Sequence, residues 1–401
     1  ANQCVLECGC FGNAIPLTPW ESFLKDLFLL IFVIPITIGA FTNKIKLNTT
    51  REDIIIYTAS IVITALFCML MLDWLFPVLF LVINLLVVAA LKKRVKEPYK
   101  EWSMALGILV VCSIFQYYTL THLPIKDYRA YAVGKNIPLQ MKNVDEVNEM
   151  ILGYMQSGSL QSVYDFLDTV ELPTRDSLHY VKNFYDTFQS MSPEQKEDQG
   201  MALVEEMGKK IGFVSPVYAT KFTFNNIKTG QDTVVLSTDW LKIYNEPWFK
   251  STYKNVSYDG DEVKLQEGYE PAIQDLSLIN YEGDDLTQDI LNADTYVFLH
   301  ISSDLSTTES DAQEDLNALA AQCERSGVAF YAVTNALYEE AEDYRHKYSA
   351  AYPFLNCDQT ELKIIVRNNP GLVLIKGGVV QAKWAWRDIP SWAQVEKEFL
   401  R

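Results

Sequence analysis

The sequence predicts an α-helical transmembrane bundle of four spans, followed by an extracytoplasmic α+β region that ends in an α/β domain. Three observations predict it. Residues 1–120 hold four apolar stretches of membrane-crossing length, basic residues gather in alternate loops between them, and the last third alternates strand-like and helix-like runs.

The apolar stretches are 27–41, 54–72, 74–91 and 104–120, within a membrane region at 23–120. At roughly 1.5 Å per residue, about 17 to 20 apolar residues cross a hydrocarbon core of roughly 30 Å. The first reaches that length once Phe23 and Leu24 are added, and Pro35 is expected to kink it. Only Asp73 separates the second from the third, which reads as a tight helical hairpin. A soluble helical core would have to wrap four such helices in succession in protein on every side. Lys44, Lys46 and Arg51 follow the first span, and Lys92, Lys93, Arg94, Lys96 and Lys100 follow the third, so both loops are expected in the cytoplasm. Alternation then places residues 1–22, Asp73 and everything after Leu120 outside it. Trp20, Trp74 and Trp102 flank spans, as interfacial anchoring predicts.

Charge divides the chain in the same way. Of 34 basic and 51 acidic residues, nine and eight fall in 1–120, which leaves 25 against 43 and a net charge of −18 for 121–401. Such an exported body argues against nucleic acid and against an anionic membrane surface as its partner, and favours solubility or a basic partner. Membrane lipid and a protein docked on the exported domain are therefore the expected partners.

Cys4, Cys8 and Cys10 crowd into the loop at 1–22, just ahead of the first span. Outside the cytoplasm thiols oxidise and disulfides persist. A Cys8–Cys10 disulfide would close a tight ring and, being strained, act as a better oxidant. A Cys4–Cys8 bond would be an ordinary structural one. Glu7 raises the pKa of a neighbouring thiol, which counts against a strongly activated thiolate. Redox thiols and a structural disulfide both stand at this point; metal ligation is disfavoured because no histidine lies near the loop, and no metal is expected.

The exported elements follow in order. Residues 121–142, rich in Pro, Gly and charge, read as an extended stalk. Residues 143–215 show helical periodicity with polar breaks, and the last of these helices opens at Ser192 as N-cap with Pro193 at its first position and closes near Gly212. Residues 216–290 change to strand-like alternation, with turn signals at 228–230 and at Asp259-Gly260. Residues 291–401 run strand (295–302), helix (310–325), strand (328–335), a helix through Arg345, a helix at 361–367 and a terminal hairpin, a central sheet flanked by helices.

That order, with Asn369-Pro370 directly before the hairpin and Gly377-Gly378 at its turn, resembles the thioredoxin fold. The resemblance implies a cis peptide bond at Pro370 and a candidate binding groove beside it. A thioredoxin-type oxidoreductase carries Cys-x-x-Cys where its first helix begins, because the helix N-terminus lowers the thiol pKa. Residues 302–316, SSDLSTTESDAQEDL, contain no cysteine. The domain is thus expected to bind rather than to exchange dithiols. Cys323 and Cys357 are expected as buried, inert thiols, with a structural pair or a separate thiol site as alternatives.

Four segments extend the likeness: CGCFGNAIPLTPWESFLKDLFLLI, THLPIKDYRAYAVGKNIP, GYEPAIQDLSL and LKIIVRNNPGLVLIKGGVVQAKW. Together they resemble bacterial, Bacteroidetes-type multi-pass proteins of the DoxX-like or MauE-like kind. The resemblance implies a place in the bacterial inner membrane, with the cysteine loop and the C-terminal domain on the periplasmic side. It also implies thiol–disulfide redox or electron relay, with Cys4, Cys8 and Cys10 exchanging electrons with a partner or with quinone. Such proteins carry further helices ahead of the cysteine loop, so this chain, which opens on Ala1 with no signal-peptide pattern, is expected to lack N-terminal spans. The reading from a different class is a non-catalytic scaffold whose acidic exported domain docks a partner while the cysteines only pin the loop.

Other polar residues point to less. Asp73 reads as a solvated hairpin tip and His122 as an interfacial anchor; His179, His300 and His346 are scattered. Gly283-Asp284-Asp285 and Thr287 form a turn into a helix start rather than an EF-hand. Dinucleotide, P-loop and HExxH motifs are absent from the sequence, and spans without paired charges speak against a transporter.

Overall fold

The computed structural model describes residues 19–42, 48–96, 98–170 and 178–400. Cys4, Cys8 and Cys10 lie outside the described residues. The chain divides into two compact units, one ending at Arg129 that also takes in Trp384–Ile389, the other comprising Ala130–Lys383 and the residues from Pro390 onward.

Among its described residues the first unit holds four helices long and apolar enough to cross a membrane: α1 (Pro19–Phe41), α2 (Thr50–Phe67), α3 (Phe76–Arg94) and α4 (Lys100–Thr121). α1, α2 and α4 begin before the stretches expected from hydropathy, on polar first turns, and α3 runs past its own through the basic last turn of Lys92, Lys93 and Arg94. α2 continues as a π-helical turn, Cys68–Leu72, and Asp73 then adopts a left-handed conformation at φ 44°, which reverses the chain. Trp74, expected to open the third span, lies in that reversal. Tyr128 donates its hydroxyl to Leu72 O (2.9 Å) and Lys126 its ammonium to Asp73 O (2.6 Å), so carbonyls left free at the helix end are satisfied. At the opposite end Lys92 of α3 pairs with Asp53 of α2. α4 lies close to α3 because Gly107 has no side chain: a Cβ there would sit 2.6 Å from Leu91 Cδ1.

The second unit opens with a segment that corrects the stalk expectation from Ala130 onward. Tyr131 is buried and donates its hydroxyl to the buried Glu361 carboxylate. Gly134 N–H bonds Val380 O (2.8 Å), Val380 N–H bonds Lys135 O (2.9 Å) and Ile137 N–H bonds Gly378 O (2.8 Å), so this segment lines the edge of the C-terminal hairpin. A short α5 (Ile137–Gln140) leads into α6 (Val144–Ser157), α7 (Leu160–Thr169), α8 (Leu178–Ser190) and α9 (Pro193–Ile211). Their shared core includes the fully buried Val147, Ile151, Met155, Val163, Phe188 and Met207. Ser192 caps α9 in a capping box with Gln195, Pro193 takes its first position and Gly212 ends it in the left-handed region at φ 79°.

Next come β1 (Val217–Asn226), β2 (Asp232–Leu236), α10 (Ser237–Ile243), α11 (Pro247–Thr252) and β3 (Tyr253–Gln266), with the strands in the order β2-β1-β3. The turn near 228–230 is present, with Gly230 at φ 72°. Asp259-Gly260 is not a turn. It lies within β3, where the register against β1 jumps from Thr220↔Glu262 to Phe222↔Tyr258, a bulge that takes up the extra residues.

The remaining elements are β4 (Ile279–Asn280), α12 (Thr287–Leu291), β5 (Val297–Ser302), α13 (Gln313–Ser326), β6 (Ala329–Thr334), α14 (Tyr338–Tyr348), β7 (Phe354–Asn356), α15 (Gln359–Ile365), β8 (Gly371–Lys376), β9 (Val379–Ala385) and α16 (Trp392–Val395). Six strands form one sheet in the order β4-β7-β6-β5-β8-β9. β5, β6 and β7 are parallel and β8 runs antiparallel to β5. β5 is buried at every position, as a central strand covered on both faces must be. Gly377 and Gly378 both take positive φ (54° and 71°), the requirement of a two-residue hairpin turn. The Asn369–Pro370 peptide bond is cis. This strand order with the proline at the start of β8 is a thioredoxin-like arrangement.

Candidate functional site

The carboxyl end of β5 is where an open α/β sheet offers a crevice to ligands, since helices and loops diverge there. β5 ends at Ser302, residues 303–309 form a loop, and a 3-10 turn at Ser310–Ala312 leads into α13. The loop is clipped to the cis-proline turn through one side chain. The hydroxyls of Ser302 and Thr308 lie 3.0 and 3.1 Å from Asn369 Oδ1, and they bond each other. Asn369 Nδ2 donates to Asp304 O (2.7 Å) and to Thr307 Oγ1 (3.2 Å), while Glu309 N–H donates to Asn369 O (3.1 Å). Gln359 Nε2 of α15 holds Ser303 O at 3.1 Å. Pro370 is thus brought beside the loop that begins at Ser302, where hydroxyl and amide groups meet and no cysteine stands.

Beside this loop lies an open cleft of about 520 Å³, lined in part by Asp304, Ser306, Glu340, Asp343, Lys347 and Tyr348. Hydrogen bonds from the Ser306 hydroxyl and N–H hold the Asp304 carboxyl below its ordinary value. The cleft is acidic in balance, with three carboxylates to one ammonium in this group.

Two cysteines of the domain are free and buried. Burial pushes the Cys323 thiol up to about 12 and the Cys357 thiol up to about 11. Neither is a thiolate at neutral pH, and the thiolate is the reactive form. The expectation of buried, inert thiols holds for both.

A second polar cluster was not read from the sequence. His300, in the middle of β5, is wholly buried, and burial pushes its imidazole down to about 4. Its Nδ1 lies 3.2 Å from the Tyr352 hydroxyl, which accepts from Gln313 Nε2 at 2.9 Å, and Tyr344 donates to Gln313 Oε1 at 2.6 Å. Among the described residues His300 Nε2 has no hydrogen-bond partner. The signal was present: a histidine inside VFLHIS sits on a strand whose every neighbour is core, so it demands partners from elsewhere. Asp73 sits at the helical reversal with its side chain in the open, 3.8 Å from Lys126 Nζ. His122 stacks on Tyr118 and lies 3.5 Å from Asp388.

No family model and no curated protein matches the chain. Among solved structures, a thiol:disulfide interchange protein from Bacteroides sp. is 14% identical and covers 31% of this chain and 86% of its own, with a TM-score of 0.26. A putative protein disulfide isomerase from Bacteroides thetaiotaomicron is 12% identical, covering 31% and 84%, with a TM-score of 0.26. The thioredoxin domain of a thiol-disulfide oxidoreductase from Bacteroides vulgatus is 14% identical, covering 27% and 81%, with a TM-score of 0.23. The strand order and the position of the cis-proline, not these scores, carry the fold.

Proposed function

We propose that the chain is a DoxX-like or MauE-like protein of the bacterial inner membrane that serves thiol–disulfide redox on the periplasmic side. In this reading Cys4, Cys8 and Cys10 carry the electrons and the α/β domain docks the partner. Joining two of the three thiols as a disulfide releases two electrons and two protons, which a partner disulfide or a quinone accepts. The observation that supports this division of labour is the loop after β5. Ser302 and Thr308 belong to the stretch 302–316, which holds no cysteine, and Asn369 clips that stretch to Pro370, so in this reading the domain keeps a thioredoxin-like frame without dithiol chemistry. The acidic cleft beside that loop fits a partner that presents basic groups. The alternative reading, a scaffold with structural cysteines, draws support from Glu7, whose charge disfavours a Cys8 thiolate.

Alkylation trapping of Cys4, Cys8 and Cys10 in intact membranes, resolved by mass shift with and without quinone and oxygen, tests the proposal. Cycling between thiol and disulfide is expected. A permanently oxidised pair that ignores electron acceptors overturns the redox role and leaves the scaffold.

A further inference from the structure

We infer that Trp386 and Arg387 form a lipid-headgroup site at the outer end of α4, in which Arg387 binds a phospholipid phosphate. The inference rests on the reading of the four apolar helices as membrane spans. After β9 the chain makes a 3-10 turn at Trp386–Asp388, within the segment that groups with α4. The Arg387 guanidinium lies 5.6 Å from the centre of the Tyr117 ring and 4.5 Å from that of Trp386. Tyr117 stands four residues before the end of α4, roughly 6 Å inside it at 1.5 Å per residue. Arg387 is therefore held at the depth where the helix leaves the hydrocarbon.

The chemistry of that depth selects the ligand. Trp and Tyr settle at headgroup level, and arginine extends its charge toward it. Arg387 is exposed, and among the described residues no carboxylate lies within ion-pair distance of it. The adjacent acid, Asp388, is turned to His122 at 3.5 Å. The anions abundant at this level are lipid phosphates, and a guanidinium engages two phosphate oxygens at once. The two rings fix the guanidinium and leave its donor edge for that contact.

The test uses the full chain in nanodiscs of phosphatidylglycerol and phosphatidylcholine, with the phosphatidylcholine brominated high on its acyl chains. The Trp386 share of the fluorescence, read as wild type minus Trp386→Phe, is expected to be quenched by bromine. Native mass spectrometry of the detergent-solubilised chain is expected to show retained phosphatidylglycerol falling about fivefold in Arg387→Ala, while Arg387→Lys, which keeps the charge but loses the two-oxygen contact, falls in between and added inorganic phosphate does not compete. An unquenched Trp386, with Trp20, Trp74 and Trp102 quenched, overturns the site alone. Retention unchanged in Arg387→Ala also overturns it, as does full competition by inorganic phosphate, which would mark a soluble-anion pocket. If no tryptophan is quenched, the membrane-span reading itself falls and takes the site with it.

Discussion

The apolar helices and the six-stranded sheet use the same residue types in opposite directions. In the helices Leu86 is 64% and Ile63 67% exposed, whereas in the sheet Phe298 and Val333 are wholly buried. A helix that is apolar all round and uncovered by protein is stable only if its surroundings are apolar too. The sheet, by contrast, must remove its apolar faces from water by itself. On the reading of the helices as membrane spans, apolar residues in the two regions answer to different solvents, and their mutational costs are expected to separate accordingly.

The sharpest way to break this contrast is a pair of truncations. Phe298→Ala opens a cavity at the centre of β5 and is expected to cost about 3–5 kcal/mol. Leu86→Ala, at a position of α3 that is 64% exposed, is expected to stay within about 0.5 kcal/mol, as for a side chain with little protein contact to lose. Denaturant unfolding of the full chain in detergent reads both. Equal costs would mean that α3 is packed against protein rather than lipid.

Next in size is the pH dependence carried by His300. Its folded value of about 4 lies below the roughly 6.5 of an unfolded histidine. As pH falls through 6.5 the unfolded chain takes up a proton that the folded domain refuses until about 4. Stability is therefore lost between those two values and levels off below, by on the order of 3 kcal/mol. Unfolding midpoints across that window, compared with His300→Asn, isolate the contribution: the variant is expected to lack this part of the slope. An unchanged slope would mean that His300 is not held neutral by burial.

Smaller again is the clip at the site. Asn369→Ala leaves Ser302 and Thr308 without their shared acceptor and Asp304 O without its donor, and is expected to cost about 1–3 kcal/mol. Hydrogen exchange is expected to accelerate at Glu309, whose N–H bonds the Asn369 carbonyl, and in the loop around it. Unaltered exchange there would show that the loop is held by Gln359 alone.

What could be read in advance follows the range of the interactions involved. The four long apolar helices were legible from their unbroken apolar runs, and the limits of α9 because Ser192, Pro193 and Gly212 act within a turn of themselves. β4 and β7, two and three residues long, were not, since Ile279↔Asn356 pairing holds them across the sequence. Asp259-Gly260 has the composition of a turn and became a bulge because β1 continues opposite it on both sides. The site was half legible: the missing cysteines and Pro370 are on the page of the sequence, but the Ser302–Asn369 contact spans 67 residues and Tyr131–Glu361 spans 230. No local pattern announces such pairs.

The smallest expected effect concerns helix ends, and it sharpens the opening contrast. α6, α7 and α9 begin with side-chain caps from Asn143, Ser159 and Ser192; of the apolar helices α2 is capped by Thr49 in a capping box with Glu52, while α3 and α4 begin at Leu75 and Tyr99 with no capping side chain. A short amphipathic helix in water gains from satisfying its first N–H groups, because solvent competes for them and packing covers one face only. A helix held by an apolar medium along its whole length depends less on its first turn. Ser192→Ala removes the acceptor of Gln195 N–H at 3.2 Å and is expected to cost about 1 kcal/mol. Exchange should quicken at Gln195 and at no amide of α3. Ser192→Asp keeps an acceptor at the N-cap and adds a favourable charge at the helix start, so it is expected to restore the loss. Failure of that rescue, with Ser192→Ala destabilising as expected, would assign the effect to packing around Ser192 rather than to the cap.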